Sequence, residues 1–357
     1  MTPKKRFYQL DLFRFIAALA VVLYHYLFRG YSADSKSILD FSEIGGFFKY
    51  GYLGVDLFFI ISGFVILLSI EHKSLVKFII SRISRLYPIY WICVLLTFFV
   101  IVLFGSPRYT ADIKQLSYNL TMFHNYLDIK NIDSVYWTLF IEMKFYIFIV
   151  GFYLILNKIK QIKLDYLIYF WTLLSILYIC FNDLYIARIA RYFFILDWSS
   201  YFIAGIVFYQ VFKNGLKLKN WILLSTCLCI SIYHAIPRVD LLESKYDTSF
   251  SPYIISIIII LFYIIMLLFS THKLNRINSP KLIKLGMLTY PLYLIHQNIG
   301  YIIFNKLAST MNKYILLTGT IIVMITISYF LSKSYEPRFS LYLKTKLGQL
   351  TKKLKWN

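Results

Sequence analysis

Ten apolar runs, each about as long as a membrane-crossing helix, constrain the fold of this chain more than any other feature. The hydrocarbon core of a bilayer is about 30 Å thick, so a helix needs about 20 mostly apolar residues to cross it. The runs cover residues 10–28, 51–70, 87–104, 135–156, 164–181, 192–212, 221–236, 252–270, 286–305 and 314–332. We therefore predict an all-α integral membrane protein with about ten transmembrane helices.

The composition supports this class and excludes others. Residues of the types AVILMFWYC make up 59% of the 357 residues and charged residues only 15%, which is too apolar for a soluble domain or a disordered chain. The four cysteines lie in apolar runs without Cys-x-x-Cys spacing, which excludes a disulfide scaffold. We assign residues 1–335 to one membrane domain and residues 336–357 to a basic cytoplasmic tail.

The distribution of Lys and Arg predicts the orientation of the helices. The net charge is +21, from 38 Lys and Arg against 17 Asp and Glu. The two chain ends and every second connection carry 24 of these basic residues, and the remaining connections carry 12. Because basic residues accumulate in cytoplasmic loops, both termini are predicted to be cytoplasmic, in a bacterial inner (plasma) membrane. Topology thus explains the charge, and the lipid bilayer rather than nucleic acid is the expected partner.

The first span carries two ionisable residues, Arg14 and His25. Their separation of eleven residues places both side chains on one helical face, about 16 Å apart along the axis. Arg14 is then predicted near the cytoplasmic surface and His25 near the outer one. A snorkelling arginine, or one paired with Asp11, and an interfacial histidine are the structural alternatives.

Two acidic residues are predicted at the same depth as His25. Asp56 follows the start of the second span and Glu142 the start of the fourth, and both spans enter from the outer side. A histidine and a carboxylate at matched depth have the composition of a general-base pair. Helix-packing contacts, or a proton relay in a transporter, use the same residue types.

Further candidates lie near the predicted cytoplasmic side and in the ninth span. Arg82 and Arg85 are neighbours on a helical face at the end of a connection, and arginine suits phosphate groups, although ordinary cytoplasmic charge is the commoner cause. In the ninth span, Pro291 is predicted to kink or restart the helix, and His296 has either a packing or a catalytic role. The other histidines have no metal-ligand spacing, so no metal site is predicted: His72, His124, His234 and His272.

Five ordered motifs resemble the membrane-bound acyltransferase 3 family. They are LDLFRFIAALAVVLYH (10–25), GVDLFFIISGF (54–64), RISRLYP (82–88), WTLFIEMKFY (137–146) and YPLYLIH (290–296). The resemblance implies a core of ten membrane helices and transfer of an acyl group, usually acetyl, from cytoplasmic acyl-CoA to a hydroxyl of a surface polysaccharide such as O-antigen or capsule. Acyl-CoA is then a donor substrate, and no permanently bound cofactor is expected.

By this resemblance His25 corresponds to the catalytic histidine and Glu142 to the acid of the fourth motif. His25 would act as a general base on the acceptor hydroxyl, with Asp56 or Glu142 orienting its ring, or would carry the acyl group covalently. The functional arginines of the family correspond to three residues suited to the phosphates of CoA: Arg14, Arg82 and Arg85. Four more motif residues are assigned to the acceptor or to structure: Trp137, Tyr146, Tyr290 and His296.

Two departures from the family pattern qualify the resemblance. Met143-Lys144 replaces the second acid or Gln that many members have after the glutamate. No C-terminal hydrolase-like domain is expected.

Two other functions remain open. A polysaccharide or lipid-linked sugar transporter would use the same acids as a proton relay and would consume no CoA. A membrane glycosyltransferase or polymerase would be expected to expose its acids in a large outer loop. The sequence specifies no oligomeric state.

Overall fold

A computed structural model describes residues 7–32, 35–70, 74–158 and 164–353, and these residues form helices and no strand. The helices of the N-terminal half are α1 (Tyr8–Tyr24), α2 (Gly30–Ser32), α3 (Ser42–Phe48), α4 (Gly54–Ile70), α5 (Leu75–Phe104), α6 (Ile113–Asn119) and α7 (Trp137–Lys158). Those of the C-terminal half are α8 (Leu164–Cys180), α9 (Tyr185–Phe194), α10 (Leu196–Asn214), α11 (Leu218–Ala235), α12 (Pro237–Tyr246), α13 (Pro252–Ser270), α14 (Leu282–Leu307), α15 (Lys313–Phe330) and α16 (Glu336–Lys353).

All ten predicted runs lie in helices, but fewer helices have the length and apolarity of a membrane span. Within the described ranges seven do: Tyr8–Ser32, Ser42–Ile70, Leu75–Phe104, Ser134–Ile155, Leu218–Tyr246, Pro252–Ser270 and Lys313–Lys353. The pair α9 and α10, bent by 45°, is an eighth if it forms one span. The 17-residue α8 is shorter, and α14 contains many polar residues, so the predicted count of ten remains a prediction.

The chain divides into two compact units. The first contains residues 1–54, 76–140 and 279–357, and the second contains residues 55–75 and 141–278. In the first unit α1 packs along α14, which also packs on α15. In the second unit α10 packs on α8, α11 and α13. A Cβ at Gly63 or Gly205 would overlap the backbone of the facing helix, so these glycines permit the close approach of α4 and α10.

Two helices of the first unit run through a proline, so α14 does not restart at Pro291, and a kink there stays a prediction. A proline removes the hydrogen bond to the carbonyl four residues earlier. The hydroxyl of Ser332 donates to the carbonyl of Met287, which Pro291 leaves unbonded, at 2.7 Å. The hydroxyl of Ser340 donates likewise to the carbonyl of Ser84, four residues before Pro88, at 2.6 Å. Side chains thus supply the donors that the prolines lack, and the helices continue.

The ends of the predicted elements also differ from the structure. α5 begins at Leu75 rather than near residue 87, because Phe78, Ile80 and Leu86 are buried along its first turns. Residues 336–353 of the predicted tail are helical and follow α15 through the π-helical turn Leu331–Tyr335. Seven of the basic residues counted for the topology lie outside the described residues, as does one of the histidines without metal-ligand spacing: Lys4, Lys5, Arg6, Lys73, Lys160, Lys163, Lys355 and His72.

Candidate active site

Two buried histidines meet between α1 and α14 in the first unit. His25 begins a π-helical turn, His25–Arg29, that extends α1, and His296 lies in the middle of α14. Their side chains are almost inaccessible, with His25 3% and His296 0% exposed. The Nε2 atom of His296 lies 2.9 Å from the Nδ1 atom of His25. Single π-helical turns occur often at functional sites because they re-aim side chains.

Hydrogen bonding defines the tautomers of the two rings. The Nδ1 atom of His296 lies 3.1 Å from the carbonyl oxygen of Leu292 and 2.8 Å from that of Tyr293. Because carbonyl oxygens only accept, this nitrogen carries the proton, and Nε2 of a neutral His296 ring accepts. The Nδ1 atom of His25 must therefore donate to His296. This assignment leaves the basic lone pair of His25 on Nε2.

Arg29 and Gln297 continue the network on the other side of His25. The NH1 group of Arg29 lies 3.0 Å from Nε2 of His25 and donates at 3.5 Å to the side-chain oxygen of Gln297. Gln297 is fully buried and exchanges hydrogen bonds of 2.8 and 2.6 Å with the hydroxyl of Ser134. Both ring nitrogens of His25 thus contact residues of the first unit, and neither of these partners is a carboxylate.

Two tyrosines fix the backbone beside the histidines. The hydroxyl of Tyr26 donates to the carbonyl of His296 at 2.6 Å, and the hydroxyl of Tyr301 donates to the carbonyl of His25 at 3.0 Å. A Cβ at Gly300 would overlap the Tyr26 ring, so glycine leaves the space for this contact. The reciprocal bonds hold α1 and α14 in the register that brings the two rings together.

A buried acid anchors α14 next to His296. Asp133 accepts hydrogen bonds from the backbone amides of Val135 at 3.2 Å and Asn298 at 2.9 Å. The side chain of Asn298 donates in turn to the carbonyl of Ile132 at 2.8 Å. Burial raises the pKa of the Asp133 carboxyl from 3.8 to about 6 because it disfavours the charged form. These contacts place Ser134 against Gln297.

Two of the predicted aromatic residues, Tyr290 and Trp137, belong to the first unit. Tyr290 donates its hydroxyl to the carbonyl of Leu86 at 3.3 Å and so joins α14 to α5. Trp137 is the half-buried first residue of α7. One residue later, the hydroxyl of Thr138 lies 2.9 Å from that of Tyr293, one turn before His296.

The three predicted donor-binding arginines belong to the first unit but differ in environment. Arg14 is half-buried on α1. Arg82 is buried, with its guanidinium carbon 5.4 Å from the centre of the Phe78 ring, and Arg85 is exposed. Both α5 arginines lie on a continuous helix, whereas the sequence predicted the end of a connection. Their role in donor binding remains a prediction.

The two predicted catalytic carboxylates belong to the second unit. Glu142 accepts a hydrogen bond from the hydroxyl of Ser62 at 2.9 Å and another from the hydroxyl of Tyr146. Lys144 contacts Tyr192 in the same unit. Its ammonium group donates to the carbonyl of Tyr192 at 3.0 Å and lies 3.4 Å from the centre of that ring.

Asp56 has a different set of partners in the second unit. Its carboxylate is 1% exposed and lies 3.4 Å from the NH1 group of Arg238. The NH2 group of Arg238 donates to the hydroxyl of Tyr201, also at 3.4 Å. The arrangement is that of a buried ion pair, and a catalytic role for Asp56 remains a prediction.

The structure brings His25 and His296 together, and it adds residues that the sequence analysis missed. Arg29 was counted only as loop charge, although its spacing of four residues from His25 places the two side chains side by side on a helix. Gln297 directly follows His296. Asp133 and Ser134 carried no signal in the sequence, because their partners lie more than 160 residues away.

Comparisons with known proteins identify the family of this chain. The acyltransferase 3 family model, described as an acyltransferase domain, matches residues 7–333. A protein of Acidianus two-tailed virus with the name "Putative acetyltransferase ORF330" is 26% identical over 300 residues, which cover 79% of this chain and 80% of that protein. No solved structure matches the chain. The family match spans nearly the whole chain and the described helices include seven of membrane-spanning length and apolarity, so the chain belongs to the acyltransferase 3 family and is a membrane-bound acyltransferase.

Proposed function

We propose that this protein transfers an acetyl group from cytoplasmic acetyl-CoA to a hydroxyl of a cell-surface polysaccharide such as O-antigen or capsule. It would act in a bacterial inner membrane, with His25 as the general base. The viral relative is named as an acetyltransferase, which supports acetyl as the transferred group. The polysaccharide acceptor follows from the family resemblance of the five motifs.

The observation that carries this proposal is the hydrogen-bonded chain from the backbone through His296 to His25. Because His296 accepts the Nδ1 proton of His25, the lone pair of His25 lies on Nε2, where it takes a proton from an acceptor hydroxyl once this hydroxyl replaces the NH1 group of Arg29. A positioned base of this kind contributes about 10² to 10⁴ in rate. In this proposal His296 holds the tautomer, which is the orienting role that the sequence analysis expected of Asp56 or Glu142.

Donor binding is proposed for Arg14, Arg82 and Arg85. Their guanidinium groups suit the phosphates of CoA, because planar donors match phosphate oxygens. Arg14 and His25 are eleven residues apart on one helix, about 16 Å along its axis, which supports a long thioester arm reaching the base. Glu142 and Asp56 stay in the proposal as catalytic carboxylates, and Trp137, Tyr146 and Tyr290 as acceptor or structural residues.

The test compares ester-linked acetyl on the surface polysaccharide by NMR, before and after mild alkali. Cells carry the wild type, His25→Ala, Glu142→Gln, Asp56→Asn or no gene. His272→Ala is the matched control, because His272 is exposed, lies outside the five motifs and belongs to the second unit, whereas His25 belongs to the first. Immunoblots of the membrane fraction establish that each variant is present in equal amount.

We expect acetyl esters with the wild type and with His272→Ala, and a loss of at least 100-fold with His25→Ala. Glu142→Gln and Asp56→Asn are expected to lower the ester content as well. Equal acetylation in wild-type, His25→Ala and gene-free cells, combined with reduced polysaccharide export without the gene, would contradict the proposal and favour a transporter.

A further inference from the structure

We infer that Arg29 is a catalytic residue whose guanidinium group stabilises the oxyanion formed during acyl transfer. This inference rests on the proposed function, since it assigns a second group to the reaction at His25. The contact between Arg29 and His25 is the observation behind it. The NH1 group of Arg29 lies 3.0 Å from Nε2 of His25, the nitrogen that carries the lone pair.

The position of this contact determines what Arg29 can do. An acceptor hydroxyl must approach the lone pair on Nε2, which the NH1 group of Arg29 occupies in the structure. A hydroxyl that takes that place would lie next to the displaced N–H group, because this group starts 3.0 Å from Nε2, and the carbonyl that the hydroxyl attacks would lie on the same side. Arginine has five N–H donors in a fixed fork, so it can serve both His25 and a developing negative charge.

A neutral group positions Arg29 on the side of α14. The guanidinium group donates there to the amide oxygen of Gln297 at 3.5 Å. Gln297 is in turn fixed by Ser134. A preorganised cationic donor in a buried site stabilises developing charge better than water does, because it needs no reorganisation during the reaction.

The transfer step moves one proton through His25 and replaces a C–S bond by a C–O bond. The acceptor O–H gives its proton to Nε2 of His25 while its oxygen forms a bond to the thioester carbonyl carbon. The carbonyl π electrons move to oxygen, and Arg29 donates hydrogen bonds to this oxyanion. As the carbonyl re-forms, the C–S bond breaks, and the CoA sulfur leaves with the proton from the His25 imidazolium.

The experiment uses full-length protein in membrane vesicles, with acetyl-CoA and polysaccharide purified from cells that lack the gene. Variants are Arg29→Gln, Arg29→Lys and Arg29→Ala, with Arg108→Gln as the control. Arg108 is an exposed arginine of the same unit that donates to the carbonyl of Ser35. Released CoA and polysaccharide-bound acetyl are both measured, together with the thermal midpoint of each purified variant.

We expect Arg29→Gln to lower kcat by 100-fold or more, as the loss of one oxyanion donor does, while KM for acetyl-CoA and the thermal midpoint stay close to the wild type. Added guanidinium ion should restore part of the activity of Arg29→Ala, and Na⁺ at equal ionic strength should not. Arg29→Lys should retain intermediate activity, and Arg108→Gln full activity.

Two results would overturn the inference while the proposed function stands. One is a kcat within threefold of the wild type for Arg29→Gln when His25→Ala is inactive. The other is a loss of activity in Arg29→Ala that follows a lowered thermal midpoint and is not rescued by guanidinium. If the wild type itself transfers no acetyl group, the proposed function fails as well.

Discussion

Asp133 is fully buried, and its carboxylate accepts the amides of Val135 and Asn298. In the folded protein, burial raises the pKa of the Asp133 carboxyl from 3.8 to about 6. Between these values the folded protein binds a proton that the unfolded chain has lost, so stability falls as pH rises through the window and is level above it. The shift corresponds to about 3 kcal/mol, at 1.36 kcal/mol for each pKa unit.

We therefore predict that Asp133→Asn removes this pH dependence. The asparagine is neutral at every pH, so the variant should gain stability relative to the wild type as pH rises from about 4 to 7. Thermal midpoints of the purified proteins across this range measure the difference. Asp128→Asn, a change at an exposed acid of the same loop, is the control and should follow the wild type. Parallel curves for Asp133→Asn and the wild type would contradict the prediction.

Helices α5 and α14 continue through a proline because a serine from the C-terminal segment bonds the carbonyl that the proline leaves unbonded. For α14 this serine is Ser332, and we predict that Ser332→Ala costs about 1 kcal/mol, since it leaves the part-buried carbonyl of Met287 without a donor. In a Pro291→Ala background the backbone amide of residue 291 supplies the donor, and Ser332→Ala should then cost much less.

A double-mutant cycle, measured by unfolding in mixed micelles, gives the coupling between the two positions directly. Ser328→Ala is the matched control. The Ser328 hydroxyl is buried but bonds the carbonyl of Met324 in its own helix, so its removal leaves no carbonyl without a backbone donor. A cost of Ser332→Ala that is the same with and without Pro291 would show that the hydroxyl does not act through Met287.

The number of helices that cross the membrane is a property of the whole chain. With both termini cytoplasmic and ten spans, the segment after α8 lies outside and the segment before α14 lies inside. The two helices in question are α8, which is short, and α14, whose polar residues form the candidate site. In a background with the exposed cysteines Cys180 and Cys229 replaced by serine, we predict opposite labelling of two new cysteines.

Asp183→Cys should react with a membrane-impermeant maleimide on intact cells, and Lys281→Cys should react only after permeabilisation. Both positions are exposed in the structure, so accessibility to the reagent depends on the side of the membrane. Protection of Asp183→Cys on intact cells would show that α8 does not cross as predicted. The count would then approach the seven or eight helices of sufficient length and apolarity.

The amino-acid sequence alone was sufficient to predict the helices and the family. Each of these follows from local information: the length of apolar runs, their flanking charges and short ordered motifs such as WTLFIEMKFY. Its errors at the ends and breaks of helices have causes in the tertiary structure. α5 starts earlier than predicted because charged residues interrupt its apolar run while Phe78 and Ile80 are still buried, and α14 stays continuous at Pro291 because a distant serine replaces the missing donor.

Tertiary structure decided which residues act together. The ring of His25 meets that of His296 across 271 residues of chain, and Arg29 reaches Gln297 across 268. Local patterns carry no information about such pairs, because a hydrogen bond needs two atoms within about 3 Å and only the packing of α1 on α14 brings them there. The sequence placed a histidine in a helix, and the fold determined which of its nitrogens carries the lone pair.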